Sequence, residues 1–101
     1  MNSKIEITPE HLDIVIKILD KHLNLEDVDV YVFGSRAKLT AKRCSDLDLA
    51  LESKNIILHS DIFAIKDDFE NSLLPYKVDV IDLDSISDEF KKIIKNDLIK
   101  L

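Results

Sequence analysis

Two short segments hold the side chains best suited to chemistry. Gly34-Ser35 directly follows the apolar run Val28-Asp29-Val30-Tyr31-Val32-Phe33, and after the ten residues Arg36 to Ser45 comes Asp46-Leu47-Asp48. Gly34 is the only glycine in the chain, where average composition would supply about seven. Glycine admits backbone dihedrals closed to other residues and lets a ligand come close to the chain. Ser35 adds a hydroxyl and an N–H, and Arg36 opens a predicted short helix. Strand, glycine, small polar residue and helix start together form a seat for phosphate. Along a strand, residues two apart share a face, so Asp46, Asp48, Ala50 and Glu52 point one way and Ser45, Leu47, Leu49 and Leu51 the other. Two carboxylates about 7 Å apart at the backbone suit one or two magnesium ions bridging a nucleotide's phosphates.

Each half has a plain structural explanation when taken alone. Glycine followed by serine ends many strands, and Asp46 and Asp48 could be the wet face of a half-exposed strand. Arg36, Lys38, Lys42 and Arg43 put four bases within eight residues, a density usually found on a solvated face. Arg36 itself reads either as a phosphate neutraliser or as a solvated helix-start residue. A further carboxylate is available on the run Tyr76-Lys77-Val78-Asp79-Val80-Ile81-Asp82-Leu83. Alternation groups Asp79 with Ile81 and Leu83, and Asp82 with Val78 and Val80, which leaves the two acids level.

The elements that must position these residues follow from the apolar spacing. Thr8-Pro9 is a helix start, with threonine as N-cap and proline at the first helical position. That helix runs to about His22, with Leu12, Val15, Ile16, Leu19 and Leu23 as its stripe. Strands are predicted over Val28–Phe33, over Asp46–Glu52 and over Tyr76–Leu83, with a short helix over Arg36–Arg43. A helix beginning at Ser60 or Asp61 carries Ile62, Ile65, Phe69 and Leu73 and stops before Pro75. Ile56-Ile57-Leu58 fits either a strand extension or a buried loop. A last helix, capped by Ser85 or Ser87, carries Ile86, Phe90, Ile93, Ile94 and Leu98. This order predicts an α/β fold with a small mixed sheet flanked by helices, as one domain over residues 1–101.

The spaced pattern as a whole is more specific than its parts. Gly34-Ser35, the ten-residue gap and Asp46-Leu47-Asp48 resemble the signature of the nucleotidyltransferase superfamily that includes DNA polymerase beta. Arg36-Ala37-Lys38 and Ser45-Asp46-Leu47-Asp48-Leu49-Ala50 extend the likeness to the minimal nucleotidyltransferases, small prokaryotic proteins usually made beside a HEPN-domain partner. One departure is Leu39, where members often carry glycine. The resemblance implies a third carboxylate directly after the first valine of the third strand, which selects Asp79 over Asp82. It further implies that Asp46, Asp48 and Asp79 hold Mg2+ and act in catalysis, and that Gly34, Ser35 and Arg36 bind ATP. The implied reaction moves AMP from ATP to a protein hydroxyl, making the chain an antitoxin that silences a HEPN-type RNase toxin. With 101 residues there is little room for a separate acceptor domain, so the acceptor is expected on another protein. Two alternatives stay open: a binding antitoxin without catalysis, and a small-molecule nucleotidyltransferase like the aminoglycoside-modifying enzymes.

Composition narrows the setting. Twenty acids against fourteen bases give a formal charge of −6, which disfavours direct nucleic-acid binding. No apolar run reaches membrane-spanning length, and Met1-Asn2-Ser3-Lys4 does not open a signal peptide, so a cytoplasmic protein is expected. Cys44 is the sole cysteine and has no disulfide partner. His11, His22 and His59 lack metal-ligand spacing and read as surface or capping residues. Asp67, Asp68 and Glu70 read as a solvated helix face, and Tyr31 and Phe33 as strand core. The wide stripe of the last helix, with Phe90, Ile94 and Leu98, is expected to be covered in part by a partner or a second copy.

Overall fold

Strand β1 (Val28–Phe33) lies antiparallel to β2 (Leu47–Ser53), with Val32 opposite Leu49 and Phe33 opposite Asp48. These and the other elements come from a computed structural model, which describes residues 7–34, 36 and 45–101. Strand β3 (Val78–Asp82) runs parallel to β2 on its other side, and a short β4 (Ile99–Lys100) pairs antiparallel with β1. The mixed sheet has the order β3-β2-β1-β4. The parallel pair is joined by α2 (His59–Glu70), as a parallel connection requires. Helices α1 (Pro9–His22) and α3 (Asp88–Ile94) complete the flanking layers among the described residues. Among the described residues no helix is long and apolar enough to cross a membrane.

The two faces of the sheet are packed by different helices. Val28, Val30, Val32, Leu47, Leu49, Leu51 and Val80 form the floor of the main core, closed by Val15 and Leu19 of α1 and by Ile65 and Phe69 of α2. The opposite face is covered by α3, where Ala50, Leu83 and Ile94 are buried with Tyr31, Phe33, Ile81, Ile86 and Leu98 around them.

Helix α1 starts and stops as expected, and the Thr8 hydroxyl accepts from the His11 N–H at 3.3 Å. Its stripe is rotated slightly: Ile16 is exposed while Ile18 packs against the core. Helix α2 ends earlier than the run to Pro75 predicted. The Asn71 N–H and side-chain amide both donate to the Asp67 carbonyl, and the Ser72 hydroxyl donates to that of Phe69, so side chains satisfy the last turn and end it. Leu73 therefore lies beyond the helix and is 91% exposed rather than on its apolar stripe.

Asp68 and His22 are likewise not free surface groups. His22 Nε2 stands 2.6 Å from an Asp68 carboxylate oxygen, and Lys21 Nζ donates to the same oxygen at 3.2 Å, tying α1 to α2. These two partners hold the Asp68 carboxyl below its usual pKa. His11 also has a partner, Tyr76, and so is more than a surface residue.

Helix α3 is capped by Ser87, which accepts from the Phe90 N–H at 3.2 Å; Ser85 instead donates its hydroxyl to Asp82. The predicted helical stripe through Leu98 is interrupted. After Ile94 the chain makes a 3-10 turn (Lys95–Asp97) and returns as β4, with the Leu101 N–H donating to the Val30 carbonyl. The loop reading of Ile56-Ile57-Leu58 holds, with Ile57 buried and its neighbours exposed. Of the predicted short helix, only Arg36 falls within the described residues.

Candidate active site

The site lies at one end of the face that α3 covers. Asp48 is the second residue of β2, where parallel pairing sets it beside Asp79 of β3 and antiparallel pairing sets it beside Phe33 of β1. Paired residues on neighbouring strands share a face, so the two carboxylates stand side by side. Asp46, exposed, precedes the strand on the same alternation. Asp82 is placed elsewhere: it pairs in register with Leu51, and its oxygens accept from the Asp84 N–H at 3.0 Å and the Ser85 hydroxyl at 3.2 Å. It closes the turn after β3.

Gly34 answers to Asp48. Its φ of +76° lies in the region that favours glycine, and a Cβ added there would run into the Asp48 carboxylate. The turn after β1 thus packs backbone directly against the acid. The sequence suggests a glycine for the sake of an approaching ligand, whereas the structure adds a neighbour within the chain itself. Ser35 lies outside the described residues, as do Lys38, Leu39, Lys42, Arg43 and Cys44.

The electrostatics are those of acids in want of a cation. Burial raises the Asp48 pKa, and the charges of Asp79 and then Asp46 raise it further. Asp79 is more open; its Oδ1 accepts from the Val80 N–H at 3.1 Å and lies 3.6 Å from Lys66 Nζ on α2. Among the described residues no three His, Cys, Asp or Glu side chains are gathered closely enough to hold a metal ion unaided. Magnesium fits this donor set nonetheless. It prefers hard oxygens, and is commonly held by one or two carboxylates together with substrate phosphates rather than by an all-protein cage.

Arg36 occupies a position at odds with its reading as a solvated residue. It is only 7% exposed, so it is not a solvated helix-start residue. Its Nε and Nη2 donate to the Ser45 carbonyl at 3.2 and 2.9 Å, and its guanidinium lies 3.9 Å above the Tyr76 ring. The Tyr76 hydroxyl is 3.1 Å from His11 Nδ1, and the two rings meet edge to face. Burial raises the Tyr76 pKa, with Arg36 pulling it part of the way back. Tyr76 and His11 are the residues that sequence reasoning missed. The available signal was an aromatic just before β3, and nothing in linear spacing pairs it with Arg36.

Known proteins resemble this chain in sequence and in fold. The family described as "Polymerase beta, Nucleotidyltransferase" matches residues 13–100. The "Probable protein adenylyltransferase MntA" of Haemophilus influenzae is 38% identical over 93 residues, spanning 92% of this chain and 80% of that protein. Among solved structures, a toxin–antitoxin with AMP-PNP superposes with a TM-score of 0.71 at 22% identity, covering 87% of this chain and 69% of the other. A mutant of the toxin–antitoxin MntA–HpeT superposes with a TM-score of 0.68 at 19% identity, with coverage of 87% and 69%. Both solved structures share the fold of this chain.

Proposed function

Since the chain belongs to the polymerase beta nucleotidyltransferase family, we propose that it transfers AMP from ATP to a hydroxyl group of a toxin protein and thereby acts as its antitoxin. The observation that carries this reading is the pairing of Asp48 with Asp79, with the Gly34 turn packed against Asp48. The likeness to a probable protein adenylyltransferase supports the choice of donor and of a protein acceptor. The fold shared with toxin–antitoxin structures, one of them with AMP-PNP, supports a toxin as that protein. The motif resemblance supports a HEPN-type RNase as that toxin and the cytoplasm as the setting.

In this reading Asp46, Asp48 and Asp79 hold magnesium, which supplies neutralisation of the triphosphate charge when bound. Gly34 and Ser35 would seat the β- and γ-phosphates through backbone N–H groups and the serine hydroxyl. Asp79, the more open carboxylate of the pair, would help to activate the acceptor hydroxyl as its proton leaves. The acceptor oxygen forms its bond to the α-phosphorus as the bond to the bridging oxygen breaks, and pyrophosphate leaves in line. Catalysis is then chiefly positioning and charge stabilisation. Of the stripe expected to meet a partner, Ile94 and Leu98 pack within the chain instead, so the α3 residues offered to a partner are Phe90 and Ile93, 41% and 71% exposed.

Incubation of the purified toxin with this chain and ATP labelled at the α-phosphate tests the reading. Label is expected on the toxin with the parent chain and absent with Asp48→Asn. Silencing of the toxin without any label would favour steric neutralisation instead.

A further inference from the structure

Three segments must be held in register for the acids to work together: the turn at Gly34, the start of β2 and the start of β3. Arg36 touches all three. It sits two residues after Gly34, its guanidinium takes the carbonyl of Ser45, which immediately precedes Asp46, and its flat face rests on Tyr76, three residues before Asp79. The same two strand starts are joined by one backbone bond, from the Leu47 N–H to the Lys77 carbonyl at 2.9 Å. Tyr76 is fixed in turn by His11 on α1. A buried cation needs partners, and a carbonyl and an aromatic face are two of those that Arg36 has.

We propose that Arg36 is a positioning residue of the transfer reaction, clamping the Asp46–Asp48 segment against the Asp79 strand through Ser45 and Tyr76. It does this rather than contact phosphate. The proposal rests on the transferase reading above. Arginine is required because only a planar fork delivers two N–H groups to one carbonyl while lying flat on a ring. Lysine keeps the charge and loses both features.

The test separates positioning from phosphate binding. Arg36→Lys is expected to lower kcat between about 10- and 100-fold, the scale of a small misplacement of reacting groups, with KM for Mg-ATP nearly unchanged. Tyr76→Leu should reproduce that split, Tyr76→Phe should be milder, and Arg36→Lys with Tyr76→Leu should be no worse than the worse single change. Hydrogen exchange gives a readout independent of activity: the Leu47 amide should exchange faster in Arg36→Lys while the Leu49 amide is unaltered. A raised KM with unchanged kcat and an unchanged Leu47 amide would make Arg36 a phosphate ligand and overturn the proposal. Uniformly faster exchange with parental kcat would make it a general stabiliser and overturn it equally. If the parent chain transfers nothing, the transferase reading fails, and the Leu47 amide alone decides whether Arg36 clamps the two strands.

Discussion

The two faces of β2 differ within seven residues. Leu47, Leu49 and Leu51 are fully buried beneath α1 and α2, with Leu49 flanked by Val32 of β1 and Val80 of β3, Leu47 beside Val78 and Leu51 beside Val30. On the other face Asp48 is half-buried, Ala50 is fully buried beneath α3, and Glu52 is exposed. The apolar face is closed along its whole length, whereas α3 crosses only the middle of the acid face. Where that cover stops, carboxylates can stand together and still reach solvent. The main apolar core lies on one face and the paired carboxylates at the open end of the other.

Substitutions can sharpen or break that division. The largest effect is expected from Asp48→Asn, which should reduce AMP transfer by about a hundredfold or more, because metal-assisted charge stabilisation supplies several kcal/mol. The fold should tolerate it well. The Asp48 pKa is raised, so the charged carboxylate destabilises the folded chain at neutral pH, and removing the charge should raise the unfolding midpoint without metal. Leu49→Ala, its neighbour on the opposite face, should do the reverse: a loss of about 2–5 kcal/mol in denaturant unfolding, with transfer by the remaining folded molecules little changed. Equal loss of transfer in the two variants at full folding would dissolve the contrast.

Gly34→Ala should act on both properties at once. The left-handed backbone costs about 1–2 kcal/mol with a side chain, and the new Cβ must displace the Asp48 carboxylate. Lower stability and lower transfer are expected together, measured by thermal melting and labelled-AMP transfer. Ile93→Asp on α3 should weaken toxin binding in calorimetry and leave the melting temperature nearly unaltered, since its side chain is largely exposed. The smallest effect is expected at the latch between α1 and α2. Asp68 has a lowered pKa, so its contribution is present above the ordinary carboxylate value of 3.8 and is lost as pH falls through the lower folded value. Asp68→Asn should therefore melt slightly below the parent at neutral pH and converge with it in acid.

Local rules made much of this legible in the sequence. Thr8, Pro9 and the apolar spacing fix the start of α1, and strict alternation from Leu47 to Leu51 fixes which face of β2 is buried. The acids on β2 and β3 are each visible as residues of strands, but their juxtaposition depends on register, and alternation left Asp79 and Asp82 level. Effects that cross the chain were hidden. The early end of α2 comes from the side chains of Asn71 and Ser72, and β4 is too short to stand out from the apolar tail of a helix. The burial of Arg36 depends on Tyr76, forty residues away in sequence, and the contact between Gly34 and Asp48 exists only once β1 and β2 are paired.

The mass of the toxin after co-expression tests the central claim most directly. Intact-mass spectrometry should find the toxin heavier by adenylyl groups beside the parent chain and at its unmodified mass beside Asp48→Asn or Asp79→Asn. Asp82→Asn, which alters only the turn after β3, should leave the modification in place. An unmodified toxin that is nonetheless silenced by the parent chain would contradict the account. So would an effect of Asp82→Asn as large as that of Asp79→Asn.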